Sequence, residues 1–595
     1  VLGGVRMLLT DRRTRIEHVT GLVPARVRWV LGGFGWADLV VAAGVLVVFY
    51  VAIRTGAGVN VRFNPSRPLN IDTDPVHLPY YAARSLLRMF AALLASVVFS
   101  LLYGYAAARS RRLEKVLIPA LDILQSVPIL GFLTIAVTTL VRLFPHSLLG
   151  LELASVFAIF TSQAWNMTFS FYNSLVSLPR ELDELSRNLR LTRWMRFWKI
   201  DVPHATIGLV WNGMMSFGGG WFFLVASEAI TVANHDYTLP GVGAFAGAAI
   251  AEGDLAGVGY AIVTMAVLVV GVNFLFWRPL TAWAEKFKQE QSGAVEVPRS
   301  LVLDLLRRTH WSRLLAPAGH AVTEALDRAG RVFGTDTRPL ATSRTRRRAG
   351  DVVFAVVVTG LIAWGFVGLL RFLTGTGQGL AVFTEPLLLG LATLARVVVV
   401  IVAATLVWVP IGVWIGTNPR LARITQPVVQ VLSSFPANFL FPLVTWVLVR
   451  TGLSLDVGGA FLMSLGAQWY ILFNTIAGAQ AVPSDLREAT SDLGVRGWQR
   501  WRRLILPAIF PYYVTGAITA SGGAWNASIV AEIVTFGATT LTARGLGSSI
   551  ADATATGNYP NVLAGIAVMA LYVVGLNRLF WSRLSTLAET RYSLT

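Results

Sequence analysis

Charged residues inside apolar stretches are the first candidates for chemistry in this sequence. Arg88 and Glu228 stand in two long apolar runs, and Arg396 and Glu532 stand in two others. A charge at membrane depth is costly, so such residues are expected to face protein and to pair. Two hypotheses follow: each arginine forms a structural clamp with a glutamate, or the two arginines attract an anion. The sequence shows no catalytic constellation and no metal-ligand spacing among its histidines, and we predict neither kind of site.

A second pattern recurs in two basic loops, residues 180–203 (the first loop) and 484–507 (the second loop). In the first loop the pattern residues are Glu184, Leu185, Ser186, Arg190 and Pro203. In the second loop they are Glu488, Ala489, Thr490, Gly494 and Pro507. A small residue lets a short helix fit closely against a partner, glycine permits the turn after that helix, and proline suits the first turn of the next one. We therefore expect each loop to hold a short helix that can pack closely against another surface. The alternative is an ordinary basic loop held by Glu–Arg pairs.

Composition places these residues in a membrane protein. Of 595 residues, 54% are hydrophobic and 14% are charged, whereas a soluble chain carries about 25% charge. Continuous apolar runs reach the roughly 20 residues that a spanning helix needs, and they do not alternate as barrel strands do. The net charge of +18 comes from basic loops, so we predict contact with membrane lipid and no nucleic-acid partner. The chain has no cysteine, which excludes disulfides and thiolate chemistry.

The sequence repeats itself. Pro119 matches Pro427 at a separation of 308 residues, and Trp165 matches Trp469 at a separation of 304. Each half predicts six helices, near 36–55, 81–108, 117–142, 150–175, 206–233 and 258–283, and near 350–373, 384–415, 424–450, 456–480, 509–536 and 560–584. The predicted fold is an all-α polytopic membrane protein with two tandem six-helix domains, related by a pseudo-twofold axis along the membrane normal.

The distribution of Lys and Arg predicts the topology. Basic residues concentrate in the loops between the second and third and between the fourth and fifth helices of each half, which the positive-inside rule places in the cytoplasm. Both termini are then cytoplasmic. The predicted divisions are a cytoplasmic segment 1–35, a first six-helix domain 36–285, a basic cytoplasmic linker 286–349 and a second six-helix domain 350–595. The linker is either solvated or laid on the anionic inner leaflet.

The second loop resembles the permease signature of ABC importers, Glu-Ala-Ala, three residues, Gly, nine residues, Ile, any residue and Leu-Pro. Thr490 replaces the second alanine, and in the first loop Arg190 replaces the glycine. Three further repeated motifs resemble the nitrate/sulfonate/taurine/bicarbonate branch of that family in a duplicated, fused form. They are Ser85-Leu86-x-Arg88 with Thr393-Leu394-x-Arg396, Trp221 and Glu228 with Trp525 and Glu532, and Gly241-Val242-Gly243 with Gly545-Leu546-Gly547.

The resemblance implies a function without enzymatic chemistry in this chain. It implies a permease of the bacterial inner membrane that imports a small anion (nitrate, bicarbonate, a sulfonate or another organic anion) by alternating access. The implied partners are two ABC ATPase subunits, which bind ATP and Mg, and an extracytoplasmic substrate-binding protein. No Gly-x-x-x-x-Gly-Lys-Ser/Thr sequence occurs here, so no cofactor is expected in the chain itself. The pattern residues of both loops are the candidates for ATPase coupling, and the candidates for the translocation pathway are Arg88, Arg396, Glu228, Glu532, Trp221 and Trp525. An ion-coupled carrier or channel, and an ABC importer of a non-anionic nutrient, are the alternatives.

Overall fold

The computed structural model describes residues 35–58, 69–126, 129–145, 147–189, 191–232, 235–287, 300–333, 344–374, 379–536 and 539–592. Arg190 of the first loop, the predicted segment 1–35 except Gly35, and parts of the predicted linker lie outside these residues. The described part of the chain is almost entirely helical, as the apolar runs predicted. Its only strands are two short hairpins.

The described residues of the first half form eleven α-helices and one hairpin. In chain order they are α1 (Trp36–Ala57), α2 (Leu78–Arg109), α3 (Arg111–Ser126), α4 (Ile129–Leu143), α5 (Leu149–Val176), α6 (Arg180–Asn188), α7 (Arg193–Arg196), α8 (Val202–Glu228), β1 (Ala229–Val232), β2 (His235–Thr238), α9 (Val242–Glu252), α10 (Leu255–Val272) and α11 (Arg278–Ala284). Two further helices, α12 (Leu301–Arg308) and α13 (Trp311–Phe333), lie in the linker. Single turns of π-helix join α7 to α8 at Phe197–Asp201 and α10 to α11 at Asn273–Trp277.

The second half repeats this order as α14 (Arg344–Thr374), α15 (Thr384–Thr417), α16 (Pro419–Ser434), α17 (Phe441–Thr451), α18 (Leu455–Gln480), α19 (Ser484–Asp492), α20 (Gly497–Arg500), α21 (Leu506–Ala531), β3 (Ile533–Phe536), β4 (Thr539–Thr542), α22 (Leu546–Thr556), α23 (Tyr559–Leu576) and α24 (Ser582–Arg591). Both hairpins are antiparallel, and they pair Ala229 with Thr238 and Ile533 with Thr542. The π-helical turns recur at Trp501–Ile505 and Asn577–Trp581.

The core of each half is one helix held between two others. Helix α5 packs along α2 and α8, and α18 packs along α15 and α21. Glycines at matching positions allow the close approach. A methyl group at Gly104 would lie 2.9 Å from the ring of Phe171, and one at Gly412 would lie 2.9 Å from the side chain of Thr475. Helices α8 and α21 run from the two loops to the opposite end of the bundle, about 40 Å at 1.5 Å per residue.

The described residues contain nine helices that are long and apolar enough to cross a membrane, and two bent helix pairs raise the count to as many as eleven. The twelfth predicted span, α5, is 28 residues long but is too rich in Ser, Thr, Asn and Gln to be counted. Its polar side chains are shielded by neighbours. Ser155 hydrogen-bonds Ser227 at 2.7 Å, and Thr168 donates to Ser100 at 3.0 Å. The all-α polytopic fold is therefore as predicted.

The structure corrects the predicted third and fifth helices of each half. The predicted continuous helix 424–450 is broken into α16 and α17, which meet at 79°. The break falls at Phe435, which is extended because the residue before a proline avoids the helical region. The predicted third helix of the first half, 117–142, is likewise divided into α3 and α4. The fifth helices end at Glu228 and Ala531, about five residues before the predicted ends, because the chain there turns into the hairpins.

Candidate functional site

The charged residues of the first half form one buried group, which we call the first cluster: Arg84, Arg88, Glu152 and Glu228. Arg88 donates from Nη1 to Glu228 at 2.7 Å, and from Nε and Nη2 to the two oxygens of Glu152 at 2.6 and 2.8 Å. Arg84 also pairs with Glu152 and donates to the carbonyl of Thr55 at 2.8 Å, which fastens the end of α1. All four side chains are buried, so two positive and two negative charges balance away from water.

The second half builds a smaller group, the second cluster: Arg396, Asp456 and Glu532. Arg396 donates to Glu532 at 2.8 Å and to the carboxylate of Asp456 at 2.6 Å. It also donates to the main-chain carbonyls of Asp456 and Arg544, both at 3.1 Å. Ala392 occupies the position that matches Arg84, and the Asp456 side chain is 57% exposed. One arginine therefore serves two carboxylates here, and only Glu532 is fully buried.

Both clusters hold the start of a short helix. Glu228 accepts the N–H of Gly243 at 2.7 Å at the start of α9, and Glu532 accepts the N–H of Gly547 at 2.7 Å at the start of α22. Ser85 and Thr393 accept the preceding N–H groups at 3.1 and 2.8 Å. A carboxylate at a helix N-terminus satisfies free donors and meets a favourable dipole. A methyl group at Gly241 or Gly545 would overlap the glutamate, which explains the repeated Gly-x-Gly.

The predicted pairing of Arg88 with Glu228 and of Arg396 with Glu532 is therefore confirmed. Every nitrogen of both guanidinium groups is used in hydrogen bonds to protein acceptors. This geometry favours the structural clamp over anion attraction.

The two predicted pathway tryptophans are fully buried in their own halves. Trp221 packs edge-on against Phe217 with ring centroids 5.6 Å apart, and Trp525 stacks on Tyr572 at 5.9 Å. None of the six pathway candidates lines the cavity between the halves. Their assignment to the translocation pathway stays a prediction.

That cavity, of about 580 Å³, is bounded by both halves. The residues that line it are uncharged and mostly amide, hydroxyl, glycine or aromatic. Its polar and aromatic members are Gln125, Ser162, Trp165, Asn166, Asn212, Ser216, Phe222, Phe223, Ser433, Phe435, Tyr470, Asn474, Thr515, Thr519, Ser521, Asn526, Asn577 and Trp581. A mixed aromatic and polar lining of this size is typical of sites for small molecules.

Helix breaks form one edge of the cavity. Ser433, Phe435, Pro436 and Ala437 around the α16–α17 break line it, and Ile129 at the start of α4 lines it as well. These breaks also join the halves. The N–H of Ile129 donates to Asn526 at 3.0 Å, and Asn438 donates to the carbonyl of Phe222 at 3.2 Å. An interrupted helix leaves main-chain groups without partners inside the helix. Membrane transporters commonly place such breaks at the substrate-binding cavity, where these groups can contact a ligand.

Trp165 and Trp581, two aromatic residues of the cavity wall, each carry a buried indole N–H without a hydrogen-bond partner within the described parts of the chain. A buried donor without a partner is unfavourable. Sequence reasoning missed this cavity. Its signal was present in the repeated pairs Gly218-Gly219 and Gly522-Gly523, which stand 304 residues apart and line the cavity from opposite halves.

Salt bridges hold the first loop in place. Arg196, the last residue of α7, bridges to Asp183 on α6 at 2.6 Å and approaches Asp201 at 3.7 Å, while Arg109 from α2 reaches Asp201 at 2.5 Å. Partial burial alone would raise the pKa of Asp183, but the hydrogen bond from Arg196 and the nearby arginine charges hold it below its usual value. Asp183 therefore stays ionised at neutral pH and the bridge persists. Ser186 is buried beside it, whereas Leu185 is exposed.

The second loop has the turn that its sequence predicted. Helix α19 ends at Asp492, and Gly494 follows with φ of +66°. The N–H of Val495 closes the turn on the carbonyl of Thr490 at 3.0 Å. Arg487 occupies the position of Asp183 and donates to the carbonyl of Val482 within its own loop. Pro507 lies in the first turn of α21, and Pro203 in the first turn of α8, as predicted. Glu184 and Glu488 lie on α6 and α19.

Comparison with known proteins matches the two halves to the same family. The profile described as "Binding-protein-dependent transport system inner membrane component" matches residues 77–278 and again residues 408–582. The two matches together cover more than half of the chain, and they fall on the two copies of the repeat.

Individual relatives agree. A protein named nitrate import permease NrtB from Synechocystis is 29% identical over 217 residues, 36% of this chain and 70% of the relative. Its namesake from Leptolyngbya laminosa is 30% identical over 208 residues, 35% of this chain and 68% of the relative. A glycine betaine/proline betaine transport system permease, ProW of Escherichia coli, is 27% identical over 192 residues, 31% of this chain and 51% of the relative. This chain is thus a member of the binding-protein-dependent transport system inner membrane components, with two copies of the ABC importer permease domain in one polypeptide.

Proposed function

We propose that this permease moves a small anion inward by alternating access, driven by two separate ABC ATPase subunits that bind ATP and Mg. The observation that carries the proposal is the cavity of about 580 Å³ shared by the two halves, each of which also carries a loop of the coupling type. Movement of the two loops relative to each other would open the cavity to one side and then to the other. An extracytoplasmic binding protein would deliver the substrate.

The orientation belongs to the same proposal. Residues 36–285 and 350–595 form the two permease domains, and the segment 1–35, the linker 286–349 and the C-terminus lie on the cytoplasmic side of a bacterial inner membrane. The basic residues of the loops support this orientation through the positive-inside rule. The chain supplies the path, and ATP hydrolysis belongs to its partners.

The relatives support an anion as the substrate. Two of them are named nitrate import permeases, and a third is named a bicarbonate transport permease, CmpB of Synechocystis, which is 29% identical over 185 residues, 31% of this chain and 61% of the relative. The second candidate is a zwitterionic nutrient, as in the name of the betaine permease. The cavity supports this second candidate, because its lining residues are uncharged and several are aromatic. Aromatic faces bind quaternary ammonium groups.

Uptake into proteoliposomes that contain the permease, its ATPases and its binding protein tests the proposal. We expect ATP-dependent uptake of labelled nitrate, bicarbonate or an alkanesulfonate, and no inhibition by excess glycine betaine. Uptake of betaine alone would select the second candidate, and uptake driven by an ion gradient without ATP would refute the coupling.

The cavity itself is tested by Trp165→Phe, which keeps an aromatic ring but makes this part of the cavity wall smaller. We expect KM for uptake to rise by about tenfold, the lower end of the effect of a small change in pocket shape. Trp211→Phe is the control, because Trp211 lies on α8 outside the cavity. Equal KM values for both variants would show that the cavity wall is not on the substrate path.

A further inference from the structure

The linker between the halves contacts the first loop. Lys199, in the π-turn after α7, pairs with Asp327 of linker helix α13 at 2.6 Å. Trp194 of α7 lies under Gly330 of the same helix. A methyl group at Gly330 would lie 3.1 Å from Cδ1 and 3.2 Å from Cβ of that tryptophan. Helix α13 therefore packs closely on the chain that follows the first loop's α6.

The matching tryptophan of the second loop gives the comparison. Trp194 corresponds to Trp498 in the repeat, and the two side chains stand at the starts of α7 and α20. Trp194 is 39% exposed, whereas Trp498 is 71% exposed. Lys199 corresponds to Arg503. Two contacts of Trp194, with α13 and with the ring of Trp198 at 5.6 Å between centroids, thus cover surface that is exposed at Trp498.

A chain of contacts connects the linker to α6. Trp194 and Lys199 flank Arg196, and Arg196 bridges to Asp183 on α6 at 2.6 Å and donates to the buried Ser186 at 3.4 Å. In the second loop Arg487 and Arg500 stand at the positions of Asp183 and Arg196. Two arginines cannot form that bridge. The first loop is therefore stabilised both by a salt bridge between its own residues and by contact with linker helix α13.

The linker is also fixed at its other end. The main-chain N–H of His310, between α12 and α13, donates to Asp38 at 2.7 Å, and Asp38 lies in the first turn of α1. Helix α12 packs on α1 and α11. Helix α13 is thus held between the start of α1 and the first loop.

We infer that α13 is a brace that positions the first loop for its ATPase, so that the two loops couple to their ATPases unequally. Of the two loops, the first departs further from the family signature, because Arg190 stands in place of the glycine. Contact with α13 stabilises the position of this loop, whose own sequence lacks the glycine of the signature turn. The second loop, with its glycine turn, needs no such support. This inference rests on the proposed coupling of both loops to ATPases.

Charge exchange at the contact is the test. Asp327→Lys places two lysines together and should release α13, and Lys199→Glu should do the same. In the complex with its ATPases, each variant should lower substrate transported per ATP hydrolysed by about two- to fivefold, the range expected from one partly exposed ion pair. The double variant Lys199→Glu with Asp327→Lys should restore the wild-type ratio. Rescue would not be expected if either residue acted only through its own charge.

Two controls separate the brace from general effects. Arg503→Glu makes the matching change in the second loop, and Asp327→Lys should not rescue it. Arg328→Glu makes an equal charge change on an exposed face of α13 and should leave the ratio unchanged. Single variants that match the wild type, or a double variant that is no better than the singles, would overturn the brace.

A second measurement keeps the inference independent of coupling. Because the chain contains no cysteine, Lys199→Cys with Asp327→Cys introduces a single pair, which a short bifunctional maleimide should crosslink in the isolated full-length permease. A complex that hydrolyses no ATP, together with efficient crosslinking, would refute the proposed function and leave the contact standing. Absence of the crosslink in a protein that elutes normally on size exclusion would refute the contact.

Discussion

The two halves of this permease share one plan but differ at both ends of the bundle. At one end, the first cluster balances two arginines against two buried glutamates, whereas the second sets one arginine against Glu532 and the solvent-exposed Asp456. At the other end, the first loop is bridged and covered by the linker, whereas the second is open and has the glycine turn. The two halves thus line one cavity between them and differ in the contacts at either end of the bundle.

The largest expected effect comes from removing an arginine. Arg396→Leu leaves Glu532 buried without a cation, which costs about 3–5 kcal/mol of stability by analogy with buried pairs in soluble proteins. Adding Glu532→Gln should restore most of this loss, because the amide oxygen can still accept the N–H of Gly547. Thermal unfolding of the purified permease measures both. If Arg396→Leu folds as stably as the wild type and only transport is lost, the arginine serves the anion instead.

The same experiment in the first half sharpens the comparison. Arg88→Leu should cost a similar amount, but Glu228→Gln should rescue it less completely. Arg88 also gives Glu152 two hydrogen bonds, and only Arg84 remains to serve that carboxylate. A double-mutant cycle in each half measures the coupling energy. Equal rescue in both halves would mean that Arg84 and Glu152 contribute nothing to the first cluster.

A smaller loss is expected from the repeated glycines. Gly241→Ala and Gly545→Ala each add a methyl group that overlaps a glutamate carboxylate, and we expect a loss of about 1–3 kcal/mol from overpacking. Gly575→Ala in α23 is the matched control, because nothing lies within 4 Å of its added methyl group. A loss as large for Gly575→Ala would mean that detergent or helix packing, and not the clusters, limits stability.

A change at the second loop should act on assembly. Valine at Gly494 must adopt a φ of +66°, which costs a side-chain-bearing residue about 1–2 kcal/mol. We expect Gly494→Val to insert normally and to retain less ATPase on co-purification, with Glu488→Lys acting in the same way. Glu184→Lys should be milder, because the first loop keeps its bridges. Undiminished retention of ATPase in Gly494→Val would remove the second loop from the coupling surface.

The smallest effect is expected from reporter tags, which should leave transport intact and report only which side of the membrane each tagged position faces. A tag near Asn70 and one near Gly379 precede the second helix of their respective halves, so parallel halves place both outside, while a reporter near Gly334 in the linker reports cytoplasm. If the tags near Asn70 and Gly379 lie on opposite sides of the membrane, the two halves are antiparallel. The comparison of the clusters and loops at matching ends of the two halves would then be wrong.

Most of what could be predicted from the sequence came from its internal repeat. Matching Pro, Trp, Glu and Gly residues placed the helices in order and paired Arg88 with Glu228 and Arg396 with Glu532. Arg84, Glu152 and Asp456 were missed as members of the clusters, although Glu152 and Asp456 stand 304 residues apart in the same register. Their contacts depend on three helices meeting, which the order of residues along one helix does not reveal.

Other features were hidden because different structures share one composition. The hairpin sequences Ala229–Val232 and Ile533–Phe536 are apolar and β-branched, as membrane helices also are, so the fifth helices were predicted about five residues too long. Ser-x-Pro occurs at matching positions of the two halves, at residues 126–128 and 434–436. Proline alone, however, does not distinguish a kink from the 79° break observed between α16 and α17. The cavity required both halves, since its lining residues come from helices more than 300 residues apart in sequence.

Crosslinking from the two loops tests the central claim most directly, since the chain contains no cysteine of its own. Single cysteines at Glu184 and Glu488 would carry a short photoreactive group in the complex, with Leu571, an exposed residue of α23, as the membrane control. The account predicts that both loops crosslink to an ATPase subunit, that Asp327→Lys lowers the yield at Glu184 alone, and that Leu571 gives none. Equal yields at Glu184 and Glu488 that Asp327→Lys leaves unchanged would contradict unequal coupling, and no yield from either loop would contradict coupling through these loops altogether.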